Sequence, residues 1–392
     1  MKVDYIIKNG RVVDPSRDID EVRDVYIRYG RMWEPAEGET VECDEPMHHI
    51  DATGYVVTPG LIDYHVHCFH GGSGTTVQPD AMLSTGVTTA ADAGTAGSAT
   101  YESFYKNEVT HSVVRLKGYL TPFAGGQLDH GINENFDPTS WNYDHIIKDV
   151  DAFRDNIVAL KIRLQYGVVP DDKGVEYIKG MISLSELLER ELGVKLPVVV
   201  HTTDCPISAT ELSNLLRPGD VFTHCYQGKR NNIILEDGSL APGVVNGRAR
   251  GVIYDSSNGK NNYSVDVCKK ALAQGFFPDV ISTDITVDKF NLPPYTKSLA
   301  VVASKYISLG MDFNEVIRAI TATPAKLLGL EGQAGTLAPG AFGDLVISKY
   351  RTDAEVRHLD ALGTEFIGHD LLVPQMTFVA GEPVYCYTEF NL

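Results

Sequence analysis

The sequence predicts an α/β protein in which a (β/α)8 TIM barrel carries a small β-sandwich domain formed from both termini. Three observations predict this fold. Short apolar strands alternate with helical segments through the middle of the chain, whereas both ends show only short strands and turns. Polar side chains end several of the apolar strands. That placement is typical of barrels, whose chemistry gathers at the carboxyl ends of the strands.

Composition sets the class of protein. The chain has 392 residues, 43% hydrophobic and 22% charged, which is enough for one large domain plus a small one. Its net charge of -18 argues against a nucleic-acid partner, because phosphate binding needs clustered lysine and arginine. The acidity predicts a soluble protein that repels its own copies, and the expected partner is a small-molecule substrate. Self-association into a homo-oligomer stays open.

The cysteines and the apolar runs predict where the protein works. The six cysteines are scattered and form no CxxC pair, which is typical of a reduced, cytoplasmic protein. Cys68, Cys205 and Cys225 lie close to histidines, and we interpret them as small apolar fillers. The first residues read as a strand and a turn rather than a secretory signal. No apolar run approaches the roughly 18 residues that span a bilayer, so no membrane partner is expected.

The two ends have the same β-rich texture. Residues 4–8 and 11–14 flank Asn9-Gly10, a pair that predicts a hairpin turn. Strand-like runs recur at 344–348, 371–374 and 376–385. We therefore predict one β-sandwich from residues 1–58 plus 340–392, and a barrel over 59–339.

Between the ends, β/α units repeat. The predicted strands are 61–67, 87–93, 113–121, 157–164, 197–202, 220–226, 251–256 and 279–285. The predicted helical segments are 78–85, 100–108, 140–154, 174–191, 208–216, 264–274 and 297–309. A doubly wound open sheet is the alternative. Polar residues end predicted strands throughout the series, which favours closure of the sheet into a barrel. The run Gly71-Gly-Ser-Gly74 lacks a phosphate-loop pattern.

The stretch from Thr58 to His67 carries the first chemical signal. Successive strand side chains point to opposite faces, so His65 and His67 share a face. Two neighbouring imidazoles at the end of an apolar strand favour a metal ion over a solvated surface.

Four further strands end on a polar side chain: Lys161, His201, His224 and Asp284 follow in that order. Each alone has a structural explanation. His201 could be a hydrogen-bonded core histidine, Asp284 could cap a helix, and Lys161 could be a salt-bridged lysine of the barrel. Together, at the same ends of apolar strands, they predict a metal centre.

This order resembles the amidohydrolase superfamily of metal-dependent hydrolases. The resemblance lies in Val57-Thr-Pro-Gly-Leu-Ile-Asp-Tyr-His-Val-His67, in Thr323-Pro-Ala-Lys-Leu-Leu-Gly-Leu330, and in Gly335-Thr-Leu-Ala-Pro-Gly-Ala-Phe-Gly-Asp-Leu-Val346. It covers nearly the whole chain. Gly94-Thr-Ala-Gly-Ser-Ala-Thr-Tyr-Glu-Ser-Phe104 and His224-Cys-Tyr-Gln-Gly228 look like the dihydroorotase-like branch, which includes deacetylases.

The resemblance implies two divalent metal ions, with His65, His67 and Asp284 on one and His201 and His224 on the other. Lys161, carboxylated by CO2, would bridge them. An apolar strand favours the neutral amine that reacts with CO2. A hydroxide bridging the ions would attack the substrate, and Asp284 would act as the proton carrier. The imidazole-rich set favours zinc and leaves manganese, cobalt and nickel open.

Substrate contacts are predicted from strand position. Arg163 follows Lys161 by two residues and could pair with a substrate carboxylate. Tyr226 stands likewise to His224 and could donate to the developing oxyanion. Asn258 and His70 follow two strands and could line the mouth. Relatives often show histidine where Asn258 and Thr286 stand here, so the rim departs from the family pattern.

The sequence therefore predicts a binuclear hydrolase that cleaves an amide or ester of a small carboxylate-bearing acyl compound, such as an N-acyl amino acid. A cyclic amidohydrolase acting on dihydroorotate or hydantoins is the alternative. A mononuclear deaminase fits less well, because it needs a glutamate where Asp204 stands and has no use for Lys161. A non-catalytic relative would be expected to have lost ligands.

Overall fold

Two β-sheets organise the molecule. The computed structural model describes residues 1–43, 48–129, 134–290 and 298–391. One sheet is mixed and is made from both ends of the chain, and the other is parallel and lies between them in sequence. The fold class predicted from the sequence is confirmed. The domain boundaries at 58/59 and 339/340 stay predictions.

The terminal sheet has eight strands in the order β17-β16-β13-β5-β1-β2-β3, with β4 pairing β1. It curls on itself: Tyr5 of β1 meets Phe378 of β16, with ring centroids 5.2 Å apart, although β13 and β5 lie between them in the sheet. The curled sheet thus encloses one apolar core, as a β-sandwich does. A separate hairpin pairs β14 with β15. The bounds of these strands are β1 Tyr5–Asp14, β2 Ile19–Arg28, β3 Arg31–Trp33, β4 His49–Asp51, β5 Val56–Pro59, β13 Leu345–Arg351, β14 Val356–Leu359, β15 Glu365–Gly368, β16 Leu371–Val379 and β17 Glu382–Cys386.

The hairpin predicted at Asn9-Gly10 is wrong. β1 runs straight through the pair, and the chain turns instead after Asp14, which pairs with Ile19. Between Ile7 and Gly10 the register shifts by one residue, which is a β-bulge. Asn9 takes the left-handed φ of 61° that a turn would need, so local chemistry alone does not distinguish the bulge from the turn.

The barrel sheet has seven parallel strands in the order β12-β11-β10-β9-β8-β7-β6. They are β6 Leu61–Val66, β7 Val87–Asp92, β8 Arg115–Leu120, β9 Ile157–Arg163, β10 Val198–His201, β11 Val221–Thr223 and β12 Ile253–Asp255. The eighth predicted strand, 279–285, forms no ladder. It makes one bridge on each side, Asp255 with Val280 and Val66 with Ile285, and so closes the barrel. A doubly wound open sheet is thereby excluded.

Two buried carboxylates hold the eighth segment in place. Asp63 of β6 accepts hydrogen bonds from the Thr283 backbone N–H and hydroxyl, at 3.1 and 2.6 Å. Asp255 of β12 accepts one from the Ser282 hydroxyl at 2.6 Å. These side-chain bonds add to backbone hydrogen bonds on both sides of the segment, for example from Asn258 N–H to the Ser282 carbonyl and from Asp284 N–H to the His65 carbonyl.

All seven predicted segments contain helix, and among the described residues the sequence did not predict three α-helices and a short 3-10 helix at Pro138–Ser140. Residues 79–85 form a 3-10 turn, and residues 105–109 extend α1 as a π turn. Residue 297 of the predicted segment 297–309 lies outside the described residues. The missed helices are α5, α8 and α9. The helices are α1 Tyr101–Phe104, α2 Tyr143–Ala152, α3 Gly174–Leu192, α4 Ala209–Leu215, α5 Pro242–Arg250, α6 Val265–Ala273, α7 Leu299–Ser308, α8 Phe313–Ala319 and α9 Ala322–Leu327. Within the described parts of the chain, no helix has the length and apolarity required to cross a bilayer.

The inside of the barrel is packed at its lower end. One apolar cluster takes residues from nearly every strand together with residues of α9 and the turn after it: Ile62, Tyr64, Ala91, Ala93, Tyr119, Ala159, Val199, Val221, Val280, Ala325 and Leu328. These side chains fill the barrel from below, so open space is left only towards the carboxyl ends of the strands.

The bulge gives a test of the corrected strand. A Cβ at Gly10 would lie 2.6 Å from Val57 Cγ2, so Gly10→Ala should overpack the contact and lower the free energy of unfolding by about 1–3 kcal/mol. Urea unfolding measures the change. Gly74→Ala is the control, because a methyl group at that position would meet no described atom within 4 Å. Equal stability of the two variants would contradict the contact.

Candidate metal centre

A cavity of about 290 Å³ opens at the carboxyl ends of the barrel strands. Five of the six predicted ligands line it: His65, His67, Lys161, His201 and Asp284. The sixth, His224, lies directly behind His201, with ring centroids 4.4 Å apart. The structure therefore brings all six side chains together. Their role as ligands stays a prediction.

The first group joins β6 to the closing segment. His67 Nε2 lies 3.2 Å and His65 Nε2 3.5 Å from the same oxygen, Asp284 Oδ1. Lys161 Nζ lies 3.3 Å from His65 Nε2. Ligand atoms of the two histidines and the aspartate all fall within 4.8 Å of one another, so one ion could contact all three.

The second group is a pair of histidines from β10 and the end of β11. His201 Nδ1 and His224 Nε2 are 2.9 Å apart. His224 Nδ1 lies 2.8 Å from the Ser257 carbonyl oxygen, which can only accept, so Nδ1 carries the proton and Nε2 a lone pair. His201 Nε2 is buried and finds no hydrogen-bond partner among the described residues. A buried nitrogen without a partner fits a site that binds an ion.

The Nδ1 atoms of His65 and His67 also have partners, on the side of each ring that faces away from Asp284. His65 Nδ1 faces the Asp255 carboxylate at 3.5 Å, and His67 Nδ1 lies 2.8 Å from the Thr95 hydroxyl. Such partners fix the tautomer and orientation of an imidazole that binds metal. Asp255 also receives the Thr223 hydroxyl at 2.7 Å, so the carboxylate is itself fixed.

Burial favours the neutral forms of His65, His201, His224 and Lys161. It lowers the pKa of His224 to about 4 and holds those of His65 and His201 well below the usual value. Burial also lowers the pKa of Lys161 to about 8. Metal ions bind the neutral imidazole, and CO2 reacts with the neutral amine, so both shifts favour the forms that the predicted chemistry requires.

Asp284 is held in a strained and crowded place. Its φ is 51°, outside the region that a strand residue adopts. Asn262 Nδ2 donates to Asp284 Oδ2 at 2.6 Å, and Lys289 Nζ lies 3.7 Å from the same oxygen. Burial alone would raise the pKa of this carboxyl, but Lys289 and the hydrogen bond from His67 outweigh it and hold the pKa well below its usual range. Asp284 is therefore ionised, which is the form that a metal ligand requires.

Gly259 makes room for Asp284. A Cβ at this position would come within 2.0 Å of Asp284 Oδ2. The loop after β12 can thus press against the carboxylate only because residue 259 is glycine.

The prediction for Tyr226 is wrong. Its hydroxyl donates to the Phe276 carbonyl at 2.9 Å, and the residue is fully buried away from the cavity. The rule that residues two apart on a strand share a face does not apply here. β11 ends at Thr223, and His224 takes a φ of 58°, which turns the chain.

Asn258 and His70 are corrected as well. The Asn258 side chain is buried, accepting from Lys305 Nζ at 2.6 Å and donating to the Tyr306 hydroxyl at 2.9 Å. His70 is exposed on a turn that begins beyond Cys68, and neither residue lines the cavity.

Arg163 does line the cavity, but with a partner that the sequence did not reveal. Its Nε forms an ion pair with Glu134 Oε2, and both side chains line the cavity. Burial raises the pKa of Glu134, although the Arg163 charge works against that shift. Glu134 thus fixes one edge of the guanidinium.

Sequence reasoning missed several residues of the site. They are Thr95, Glu134, Asp255, Asn262 and Lys289. Asp255 could have been found, because it ends the predicted strand 251–256 as the other polar residues end theirs. The other four lie in loops, where neither spacing nor periodicity indicates which way a side chain points.

Comparisons with known proteins agree with this geometry. A family model described as "Amidohydrolase family" matches residues 56–384. A deacetylase from Agrobacterium fabrum is 30% identical over 351 residues, which is 89% of this chain and 84% of that protein. A crystal structure of an adenine deaminase superposes with a TM-score of 0.84 at 26% identity, covering 97% of this chain and 99% of that one. A crystal structure of a dihydroorotase gives 0.81 at 27% identity, covering 98% of each chain.

Asn262 gives a test of the support around Asp284. Asn262→Ala removes the donor to Oδ2, so affinity for a divalent ion should fall about 10- to 100-fold, as is typical when a partner of a ligand is lost. Equilibrium dialysis with zinc measures the dissociation constant.

The matched control is Asn107→Ala, on an exposed helical turn and bonded to Ser103. A circular dichroism spectrum like the wild type's shows that each variant is folded. Unchanged zinc affinity in Asn262→Ala would contradict the role of this contact.

Lys305 gives a test of the buried hydrogen bonds that hold the Asn258 side chain away from the cavity. Burial lowers the pKa of Lys305 from 10.5 to about 7. Between these values the unfolded chain binds a proton that the folded chain does not, so folded stability should rise with pH, by up to about 1.4 kcal/mol per pH unit. Lys305→Met should flatten this rise.

Urea unfolding between about pH 7 and about pH 9.5 measures the slope. Lys270→Met, on the exposed face of α6, should keep the wild-type slope. If the unfolding free energy of Lys305→Met rose with pH as steeply as that of the wild type, the lowered pKa of Lys305 would be contradicted.

Proposed function

Because this chain belongs to the amidohydrolase family, and is a hydrolase of amide C–N bonds, we propose that it is a binuclear metal-dependent deacylase. Its substrate is a small carboxylate-bearing acyl compound such as an N-acyl amino acid. The observation that carries the proposal is the convergence of Lys161 with both histidine groups at one cavity.

The side chains present fit two divalent ions. His65, His67 and Asp284 would hold one, and His201 with His224 the other. Lys161 would serve both as a carbamate. The nitrogen of His201 that has no partner among the described residues, and the neutral state of that imidazole, support this assignment. Nitrogen-rich ligand sets of this kind favour zinc.

Lys161 forms the carbamate by reacting with CO2. The lone pair of the neutral amine attacks the carbon of CO2, and the nitrogen releases one proton to solvent. The product is an anionic oxygen ligand in place of an ammonium group. A pKa of about 8 leaves an appreciable neutral fraction at physiological pH, which an ordinary lysine lacks.

When bound, the ions would supply Lewis acidity, lowering the pKa of a water and polarising the substrate carbonyl. Asp284 accepts the proton of the attacking water on a carboxylate oxygen. It then delivers that proton to the departing nitrogen as the C–N bond breaks. Asn262 and Lys289 hold the carboxylate in place through both transfers.

Arg163 is the proposed partner of the substrate carboxylate. It lines the cavity, and the ion pair with Glu134 restricts the guanidinium to one orientation. A fixed guanidinium loses less side-chain entropy when it binds a carboxylate. Tyr226, Asn258 and His70 have no part in substrate binding, because they lie outside the cavity.

Deacylation is favoured over the alternatives. The Agrobacterium relative, named a deacetylase, matches along most of both chains. A deaminase is disfavoured because Asp204, at the place of the required glutamate, pairs with Arg230 at 2.8 Å outside the cavity. A cyclic amidohydrolase would use the same centre, and substrate screening separates it. We keep the cytoplasm as the proposed location, because the six cysteines are scattered along the sequence and form no CxxC pair.

Metal content and Lys161 test the proposal together. The purified protein reconstituted with zinc and bicarbonate should hold about two ions per chain. Lys161→Ala should hold fewer and lose more than about 100-fold in kcat, because a ligand matters at least as much as its supporting partners. Acetate should restore part of the activity by replacing the carbamate oxygens.

The control is Lys179→Ala, an exposed position of α3. The screen uses N-acetyl-D- and N-acetyl-L-amino acids, acetylated hydroxy acids and hydantoins. Turnover of hydantoins alone would replace deacylation by the cyclic reaction. Full metal occupancy with no turnover of any would reject the substrate class.

A further inference from the structure

The loop after β12 supports the carboxylate of the metal centre. This β12 loop, residues 256–264, joins β12 to α6. The backbone at Gly259 comes so close to Asp284 that a Cβ there would lie 2.0 Å from Oδ2. The Asn262 amide donates to the same oxygen at 2.6 Å. The position of the Asp284 carboxylate therefore depends on how this loop is held.

The far end of the β12 loop is held by a hairpin that does not belong to the barrel sheet. β14 and β15 form this hairpin and lie in sequence between β13 and β16 of the terminal sheet. In the turn that joins them, Ala361 N–H donates to the Tyr263 carbonyl at 3.0 Å. Val265 N–H donates in the other direction, to Asp360 Oδ2 at 2.9 Å. The backbone just after Asn262 is thus tied to the C-terminal part of the chain.

The Asp360 carboxylate is buried and oriented for this contact. Its Oδ1 accepts the backbone N–H groups of Leu362 and Thr364, both at 2.8 Å, so the turn itself fixes the side chain. Its Oδ2 meets Val265, the first residue of α6. The N–H of a first helical residue has no acceptor inside the helix, and the helix dipole favours a carboxylate there.

The same turn also packs against the loop after β11. A Cβ at Gly228 would lie 3.0 Å from Leu362 Cδ1 and 2.7 Å from Ser264 Cβ, so these groups approach closely because residue 228 is glycine. Ser264 N–H in turn donates to the Tyr226 carbonyl at 2.8 Å. The hairpin turn, the end of the β12 loop and the loop after β11 therefore pack together.

We infer that Asp360 is a positioning residue of the metal centre. By holding Val265 it keeps the β12 loop in place, and through that loop it keeps Asn262 against Asp284. The inference rests on the metal centre of the proposed function and extends it to a residue that does not line the cavity. Only two residues separate Asn262 from Val265, so a shift of the backbone at Val265 displaces the Asn262 amide.

Asp360→Asn tests the contact with almost no change of shape. The amide oxygen can keep the two hydrogen bonds of the turn, and the NH2 group then faces Val265 N–H, where two donors cannot bond. The dissociation constant for zinc, measured by equilibrium dialysis, should rise about 10-fold, as is typical when the support of a ligand is lost.

A second variant breaks the other bond between the hairpin and the loop. Gly363 N–H donates to the Asp360 carbonyl at 3.2 Å, which closes a β-turn with Ala361 at its second position. Proline is favoured at that position, so Ala361→Pro keeps the turn and removes the N–H that donates to the Tyr263 carbonyl. Its zinc affinity should fall in the same direction.

The matched control makes the same substitution at a buried aspartate of the terminal sheet. Asp14 ends β1, and its Oδ2 accepts Leu337 N–H at 2.7 Å. Asp14→Asn should lower the free energy of unfolding, as Asp360→Asn does, because each leaves a buried N–H without its acceptor. It should leave the zinc affinity of the folded protein unchanged.

Two further measurements locate the effect in the β12 loop. In a double variant with Asn262→Ala, Asp360→Asn should weaken zinc binding by less than about 2-fold more, because the group through which it acts is already gone. In the metal-free protein, hydrogen exchange of the backbone amides at 256–264 should be faster in Asp360→Asn and Ala361→Pro than in the wild type, and unchanged in Asp14→Asn.

The outcomes separate this inference from the proposed function. Wild-type zinc affinity in folded Asp360→Asn, an equal loss of affinity in Asp14→Asn, or losses that multiply in the double variant would each overturn the role of Asp360. A wild-type protein that binds no zinc would reject the proposed function. Hydrogen exchange in the metal-free protein then decides the inference alone: faster exchange at 256–264 in Asp360→Asn keeps it, and unchanged exchange rejects it.

Discussion

The closure of the barrel at its eighth position is the constraint on which the rest depends. Residues 280–285 make one bridge to β12 and one to β6, so they have no ladder of their own. Their place is fixed by backbone hydrogen bonds to both neighbours and by two buried carboxylates, Asp63 and Asp255, which hold Thr283 and Ser282. The chain can then turn at Asp284 with a positive φ and present its carboxylate to His65 and His67. Asp255 faces His65 as well, so one residue both closes the barrel and orients the centre.

The interior of the barrel changes steeply from apolar to polar along its axis, and this change affects the protonation of the groups at the site. Tyr64, Tyr119 and Val199 fill the interior below, and the polar cavity begins at the strand ends above. His65, His201 and His224 stand at this boundary, where burial disfavours their protonated forms and that of Lys161. The fold itself thus favours the neutral forms that the predicted chemistry requires.

The convergence of the site was predictable, whereas its rim was not. Parallel strands in a barrel must end together, so polar residues at the ends of apolar runs, such as His65 and His201, had to meet. The rule that residues two apart share a face held for Arg163 after Lys161 but failed for Tyr226, because His224 turns the chain. Asn258 and Glu134 depend on partners far away in sequence, Lys305 and Arg163, which no local pattern reveals.

The terminal sheet has a consequence for how the chain reaches its native state. Val57 of β5 pairs with Ile347 of β13, 290 positions later, and the whole barrel lies between them. Contacts of such high sequence separation form slowly, because a long loop must close before they contribute. During synthesis the edge of β5 stays open until β13 leaves the ribosome. The barrel can assemble earlier, and the docking of β13 and β16 is then the step that seals the molecule.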